Sequence, residues 1–281
     1  MRSLKFLFTF AAATCLLVAV SSNGYAQAIN TIVLAKVSGS VNIKDGSGTT
    51  RPAANGSRVT QGSYVITGPV SSATLLFSNG STVTVNENTS MEVSQFFQDS
   101  HDNTGFPTGR SEPSRSTTRL KLDYGEIIGS TKKLNAASVY EINTPVGIAG
   151  IRGTTWYAKV VEITADTLVA LFGVIDGRVD FTPTGKTVIH IEGGKQVEIK
   201  LTKLEGGGVS IEIPAAQLAA LPEDVRIKAQ AILDQANIDL IDEFSADDTT
   251  NTDGDIDLVR ASAEAERRVT DIAGEAAGTA Q

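Results

Sequence analysis

The feature that most constrains this chain is a period-two alternation of apolar and polar residues from Ile29 to Ile213. Turn-forming residues interrupt the alternation about every 8 to 12 residues, a spacing typical of all-β sandwiches, rolls and barrels. We therefore predict an all-β fold, an antiparallel β-sandwich or roll, with a short β-helix-like roll as the alternative. The 26 glycines suit many tight turns between short strands.

The clearest hairpin joins residues 73–78 to residues 81–85 through Asn79-Gly80. Asn-Gly is the preferred pair for a two-residue type I′ turn, and this predicts that Leu76 lies opposite Val83. A second hairpin is predicted from 188–191 to 197–201, with Gly193-Gly194-Lys195 as a three-residue loop. In that register Ile191 lies opposite Val197, and His190 points outward. A one-residue slip would reverse the faces, so burial tests the register.

Further strands are predicted at 31–37, 41–44, 64–66, 138–143, 154–163, 167–175, 178–181 and 209–213. Residues 95–119 are polar, contain Pro107 and Pro113, and are predicted to be a long loop inserted in the β domain. After Pro214 the composition changes to alanine, glutamine and charged residues, and Pro222 is placed to start a helix. We predict a β domain at 29–213, a helical appendage at 214–273 and a disordered tail at 274–281.

The first 28 residues have the layout of a cleaved secretory signal peptide. Arg2 and Lys5 precede an uncharged apolar run, and small residues allow cleavage after Ala26 or Ala28. The run is shorter than the roughly 20 residues that span a bilayer. We therefore expect a periplasmic or secreted protein with no stable membrane insertion after cleavage.

The composition of the remaining chain argues against several functions. The sole cysteine, Cys15, lies within the signal peptide, so the mature chain would form no disulfide. Loss of Arg2 and Lys5 from the 24 basic residues leaves 22 against 32 acidic residues, a net charge of −10. This acidity is opposite to that of typical nucleic-acid-binding proteins, so we expect no nucleic-acid partner.

The sequence contains no pattern that identifies a reaction centre. Only His101 and His190 could act as imidazole bases or ligands, and they form no metal-binding spacing with other residues. Neither a nucleophile elbow nor a phosphate-binding glycine loop is present. We predict no catalytic residues, no cofactor and no metal, hence no enzyme. A hydrolase using a pair of carboxylates that the sequence cannot identify remains an alternative.

The most distinctive segment runs from Glu141 to Trp156, with glycines at 147, 150 and 153. Proline belongs at a strand start or a sheet edge, and Arg152, between Ile151 and Gly153, has five donors that can bind carbonyls across a turn. A structural corner of the β domain is one interpretation. The other is a partner-contact loop, for which the candidate residues are Thr144, Pro145, Arg152, Thr154 and Trp156.

The chain resembles the FecR domain family, which is named for the periplasmic part of iron-uptake signalling regulators. The resemblance rests on residues 35–41 with 62–68, on 73–85, and on 125–128 with 144–147 and 152–154. Together these segments span about residues 35 to 182. The regulators carry an anti-sigma segment and a membrane span before this domain, where this chain has its predicted signal peptide.

The resemblance implies a non-catalytic, extracytoplasmic domain that senses or relays signals through protein contact. We therefore expect a binding or signalling module whose partner is an envelope or secreted protein, or a cell-envelope polymer. The alternative is a structural envelope or surface protein that assembles with copies of itself.

Overall fold

The computed structural model describes residues 30–101, 107, 109–214 and 218–238, and these residues form a predominantly β-strand structure. This confirms the predicted all-β class. The strands are β1 (Ile32–Ser38), β2 (Val41–Lys44), β3 (Thr50–Pro52), β4 (Ser63–Thr67), β5 (Ser72–Phe77), β6 (Thr82–Val85), β7 (Ser90–Gln98), β8 (Ser116–Ser130), β9 (Val139–Thr144), β10 (Gly147–Ile151), β11 (Thr155–Thr164), β12 (Thr167–Asp176), β13 (Arg178–Pro183), β14 (Ile189–Glu192), β15 (Lys195–Lys203), β16 (Val209–Glu212) and β17 (Ala219–Ala220). The described residues contain one helix, α1 (Glu223–Ile238).

The strands pair into two sheets that are joined by β8. The first sheet has the order β1-β5-β6-β8-β11-β12-β15-β16, with β17 beside the start of β15. The second has the order β3-β2-β4-β7-β8-β9-β10-β13-β14. Only the β8–β9 pair is parallel among these pairings. The antiparallel pairing agrees with a sandwich or roll, since a β-helix would be built from parallel strands.

The hydrophobic core lies between the two sheets. Alternate side chains of both sheets point inward and form one continuous cluster. Three aromatic pairs bridge the sheets, with ring centroids separated by 5.1 to 6.3 Å: Phe77–Phe96, Phe172–Phe181 and Tyr140–Trp156. Contacts of this kind add to the burial of apolar area and fix how the layers pack.

The Asn79-Gly80 hairpin is present, but the predicted register is wrong by one residue. Leu76 lies opposite Thr82, and the Phe77 amide donates to the Ser81 carbonyl at 3.0 Å. The loop therefore has three residues, with Gly80 in the left-handed region at φ 84°. Asn79 is fully buried and its side-chain amide donates to Ser116 Oγ at 3.1 Å. This contact with a distant strand is consistent with the longer loop.

The predicted hairpin across Gly193-Gly194 is wrong. β14 pairs with β13 in the second sheet, while β15 pairs with β12 in the first. The two glycines thus turn the chain from one layer to the other. His190 does point outward, as predicted, because its parity along β14 is opposite to that of the buried Ile189 and Ile191.

The loop predicted at 95–119 is shorter than expected. Gln95 to Gln98 belong to β7 and pair with Ser116 to Arg119 at the start of β8. Polar residues here sit on strands because several of them are hydrogen-bonded inside the protein, which a hydropathy pattern does not reveal. In the loop that remains between β7 and β8, Arg115 forms an ion pair with Asp99, with Nε 2.9 Å from Oδ2.

The helix predicted from Pro222 onward begins at Glu223 and lies on the outer side of the first sheet. Its Val225 and Ala229 pack with Ile128 and Tyr157. The predicted signal peptide, residues 239–273 of the predicted helical appendage and the C-terminal tail lie outside the described residues. The predicted domain boundaries stay predictions.

Candidate contact surface

The segment with the candidate contact residues crosses from the second sheet to the first. Thr144 ends β9, a two-residue turn at Pro145 and Val146 follows, and Gly147 opens β10. A Cβ on Gly147 would lie 2.4 Å from the Thr182 carbonyl oxygen, so this strand needs a glycine to approach β13. Thr144 Oγ1 donates to the Gly147 carbonyl at 2.9 Å and closes the turn.

Arg152 is exposed, but its guanidinium has a structural role. Nη1 donates to the carbonyl oxygens of Ser138 at 3.2 Å and Ala136 at 3.4 Å. The arginine thus holds the chain just before β9 against the corner after β10. This arrangement fits the interpretation of the segment as a structural corner.

Thr154 and Trp156 occupy the interior, contrary to their predicted place on a contact surface. Trp156 has no exposed surface and Thr154 only 4%. The indole Nε1 donates to Thr131 Oγ1 at 3.1 Å, which satisfies its polar atom. Of the five candidates, only Pro145 and Arg152 are exposed and Thr144 is half-buried, so a partner could touch these three alone.

A buried polar cluster lies behind this corner, and sequence reasoning missed it. Glu112 is 5% exposed and accepts hydrogen bonds from Ser116 Oγ at 2.6 Å, from Ser138 Oγ and from the Asn135 backbone N–H at 2.6 Å. It therefore links the predicted loop to the starts of β8 and β9. Its neighbour Pro113 was a visible loop signal, but nothing in the local sequence marked this carboxylate as buried.

The outward side of the second sheet presents a broad polar surface. Two rows of side chains run across its strands in register: Glu92, Lys121, Asn143, Ile148 and Thr182 in one, and Arg119, Glu141, Gly150, Asp180 and His190 in the other. We call these ten residues the polar face. Ile148 is 45% exposed and lies between Asn143 and Thr182.

Most charged residues of the polar face have a partner, either within the face or directly beside it. Arg119 Nε lies 2.8 Å from Glu141 Oε2, and Lys121 Nζ lies 2.8 Å from Asp123 Oδ1. At the other end, Asp180 Oδ1 lies 2.6 Å from His190 Nδ1 and 3.0 Å from Arg178 Nε. Such exposed pairs stabilise the fold little, but they hold long side chains in fixed positions.

The titration of these groups follows from their partners. Partial burial alone would raise the pKa of Asp180, but hydrogen bonds from His190 and Arg178 outweigh it and lower the pKa. The pKa of Tyr64, next to the face, is raised chiefly because its hydroxyl donates to Glu92. Asp180 therefore stays ionised to lower pH than an ordinary aspartate.

A cleft of about 500 Å³ lies where α1 meets β8 and β11. Its central group is Glu126, which accepts from Lys228 Nζ at 2.5 Å and Asn86 Nδ2 at 2.8 Å, and which lies 3.2 Å from Lys159 Nζ. Burial alone would raise the pKa of Glu126, but the two lysines outweigh it and lower the pKa. The carboxylate thus ties the helix to the sheet.

Within the described ranges, no three His, Cys, Asp or Glu side chains come together in a group that could hold a metal ion. The one helix in that part of the chain is not long and apolar enough to cross a membrane.

Residues 63–180, from β4 to β13, match the family model described as FecR protein. This part of the chain is a FecR domain. The resemblance seen in the sequence is thereby confirmed. The FecR domain contains most of the polar face and the corner with Arg152, whereas α1 and β14 to β17 lie beyond it.

Comparison with solved structures gives a weaker likeness. Two crystal structures of a "putative anti-sigma factor" from Parabacteroides distasonis ATCC 8503, at 1.65 and 2.50 Å resolution, match with 13% identity and a TM-score of 0.36. The match covers 55% of this chain and 61% of that chain, so this chain spans about three fifths of that protein's length. No curated protein matches this chain.

Proposed function

We propose that this protein is a non-enzymatic binding and signalling module that acts outside the cytoplasm through contact with another protein. The FecR family match supports a regulatory role. The signal-peptide pattern of the first 28 residues supports export. The partner would be an envelope or secreted protein, with a cell-envelope polymer as the competing possibility.

The observation that carries the proposal is the arrangement of the polar face. Ile148 is an exposed apolar residue of this face, the polar residues Asn143 and Thr182 flank it in register on adjacent strands, and the paired charges lie in the neighbouring row. Protein interfaces have this pattern of an apolar centre with a polar rim. Gly150, two residues along β10 on the same side, leaves a notch between Glu141 and Asp180 into which a partner side chain could fit.

The proposal is tested by comparing two isoleucine substitutions in the full chain. Ile148→Lys places a charge on the polar face, while Ile163→Lys places the same charge on β11, where the isoleucine is 60% exposed. Affinity capture from the periplasmic fraction should recover the same partner with the wild type and Ile163→Lys, and lose it with Ile148→Lys.

Equal recovery of the partner with all three chains would show that the polar face is not the contact site. If a glycan is captured instead, the partner is a polymer. Turnover of glycans or esters that a single carboxylate substitution abolishes would contradict the non-enzymatic role.

A further inference from the structure

Within the described ranges the two sheets have four edges, and three of them are protected. Residues 55–59 cover β1: the Leu34 amide donates to the Ser57 carbonyl at 2.9 Å, and the Gly56 amide donates to the Leu34 carbonyl at 2.8 Å. β3 has three residues and ends at Pro52, which has no donor. β14 is covered because it packs near β12 and β15 of the first sheet. Natural proteins use such means to prevent pairing between sheet edges.

The fourth edge, β16, lacks this protection in the described part of the chain. It pairs with β15 on one side, and no described strand pairs with its other side. The Leu204 amide donates to the Gly208 carbonyl at 2.8 Å, so this opposed pair is hydrogen-bonded. Because hydrogen-bonded pairs alternate, Ser210 and Glu212 bond to β15, while the backbone groups of Val209 and Ile211 point away from the sheet.

The side chains of this edge are also incompletely covered. Ile211 and Ile213 pack against the core as partly buried residues, and Val209 in the same row is 50% exposed. The core layer therefore ends in an open apolar row. A strand that completed it would need apolar residues at alternate positions, facing the core side.

We propose that β16 pairs with β16 of a second copy of this chain, antiparallel, with Ile211 opposite its own counterpart. β16 and the next residue, Ile213, have the required alternation, Val-Ser-Ile-Glu-Ile. In this register Val209 lies opposite Ile213 of the second copy, and the outward groups of both strands form about six hydrogen bonds. The two first sheets become one continuous sheet around a twofold axis.

The charges of the edge fit this self-pairing. In the proposed register Glu212 lies opposite Ser210 of the second copy, so no like charges face each other. Within its own chain Glu212 already has a cation, because Lys200 Nζ lies 3.8 Å from Oε2. The pairing is independent of the polar face, which belongs to the other sheet.

The test is the oligomeric state of the mature full chain, measured by sedimentation over a range of concentrations. Val209→Lys puts a charge in the row that would be covered, and it should weaken dimerisation by about tenfold or more. Leu204→Lys is the matched control, because Leu204 is 51% exposed in the adjacent turn and lies off the edge. Circular dichroism melting of each variant checks that the fold is retained.

A cysteine pair provides an independent measurement. Ile211→Cys would bring two Cα atoms to about 5.5 Å across a hydrogen-bonded pair, within disulfide range. The mature chain would have no other cysteine, so oxidation should give a covalent dimer from Ile211→Cys and much less from Leu204→Cys.

A concentration-dependent dimer that Val209→Lys weakens and Leu204→Lys retains would support the proposal. A monomer at every concentration, a dimer indifferent to Val209→Lys, or equal cross-linking of the two cysteine variants would overturn it. Binding of an extended peptide to this edge by a monomeric chain would also overturn self-pairing and would make β16 a peptide-binding strand.

Discussion

Trp156 packs against the backbone of Gly129 at the centre of the core. A Cβ on Gly129 would lie 2.1 Å from Trp156 Cζ2, closer than any real contact. The indole thus occupies the space that a side chain at 129 would need, and on its other side it packs on Tyr140. At this position a glycine allows a large aromatic residue to fill the interior without a gap.

Gly129→Ala should therefore destabilise the protein by about 1–3 kcal/mol, because the added methyl group forces the indole out of its position. Gly46→Ala is the control, since the nearest atom to its Cβ would be 3.8 Å away. Urea denaturation of both variants measures the difference in free energy of unfolding. Equal stabilities would contradict the packing described for Trp156.

Trp156 is the only tryptophan in the chain, so its fluorescence reports this site alone. Because the ring has no exposed surface, we expect a blue-shifted emission and weak quenching by acrylamide in the native protein. Denaturation in urea should red-shift the emission and make quenching efficient. Efficient quenching of the native protein would instead place Trp156 at the surface, where a partner could reach it.

At the scale of elements, α1 depends on a few contacts with the first sheet. Among the described side chains, Val225 and Ala229 provide its apolar contact and Lys228 its ionic contact with Glu126. A helix held by so little surface belongs to the low-stability part of a structure and is expected to open before the sheets do.

Glu126→Gln should loosen α1, because the neutral amide loses its charge attraction to Lys228 and Lys159. Hydrogen exchange of the amides from Asp224 to Ala231 should become about two- to fivefold faster, as expected for ion pairs of up to about 1 kcal/mol. Glu162→Gln, at an exposed residue of the same cleft, should leave the rates unchanged. Equal rates in all three chains would show that the ion pair does not hold the helix.

The ion pair between Lys228 and Glu126 also predicts that the stability of the protein depends on pH. The folded pKa of Glu126 lies below its ordinary value of 4.5. The stabilisation is therefore complete above about pH 4.5 and is lost as the pH falls through the lower folded pKa. The difference in stability between the wild type and Glu126→Gln, measured by urea denaturation, should disappear in strong acid. A difference that persists there would have another cause than this charge.

At the scale of the whole molecule, the proposed export would determine where any contact takes place. The chain as written carries the signal-peptide pattern, and its acidic mature part would be repelled by an anionic membrane surface. Both features support the proposal that the protein acts in the periplasm or outside the cell.

Mass spectrometry of the protein from its native cells should show a mature chain that begins at Gln27 or Ile29, after Ala26 or Ala28. A fusion of the first 28 residues to a reporter that is active only outside the cytoplasm should be active, and Val18→Arg, which interrupts the apolar run, should abolish this. An intact N-terminus on the purified protein would rule out cleavage.

Several features of the fold follow from local sequence. Strands such as β2, β12 and β16 were predictable within a residue or two, because alternation and turn residues are local signals. The FecR resemblance rested on the order of such segments. By contrast, the polar ends of β7 and β8 read as a loop, since their hydrogen-bond partners lie far away in the chain.

The amino-acid sequence by itself determined the all-β class, the positions of most turns and the scarcity of reactive side chains, all of which depend on neighbouring residues and composition. Only the tertiary structure decided which strands pair, as at Gly193-Gly194, where the chain changes sheets instead of forming a hairpin. It also decided that Trp156 fills the core while Ile148 faces solvent. Strand pairing and burial are set by contacts between residues that are distant in the chain. The alternation of apolar and polar residues shows only that the two faces of a strand differ; it does not show which strand or layer packs against each face.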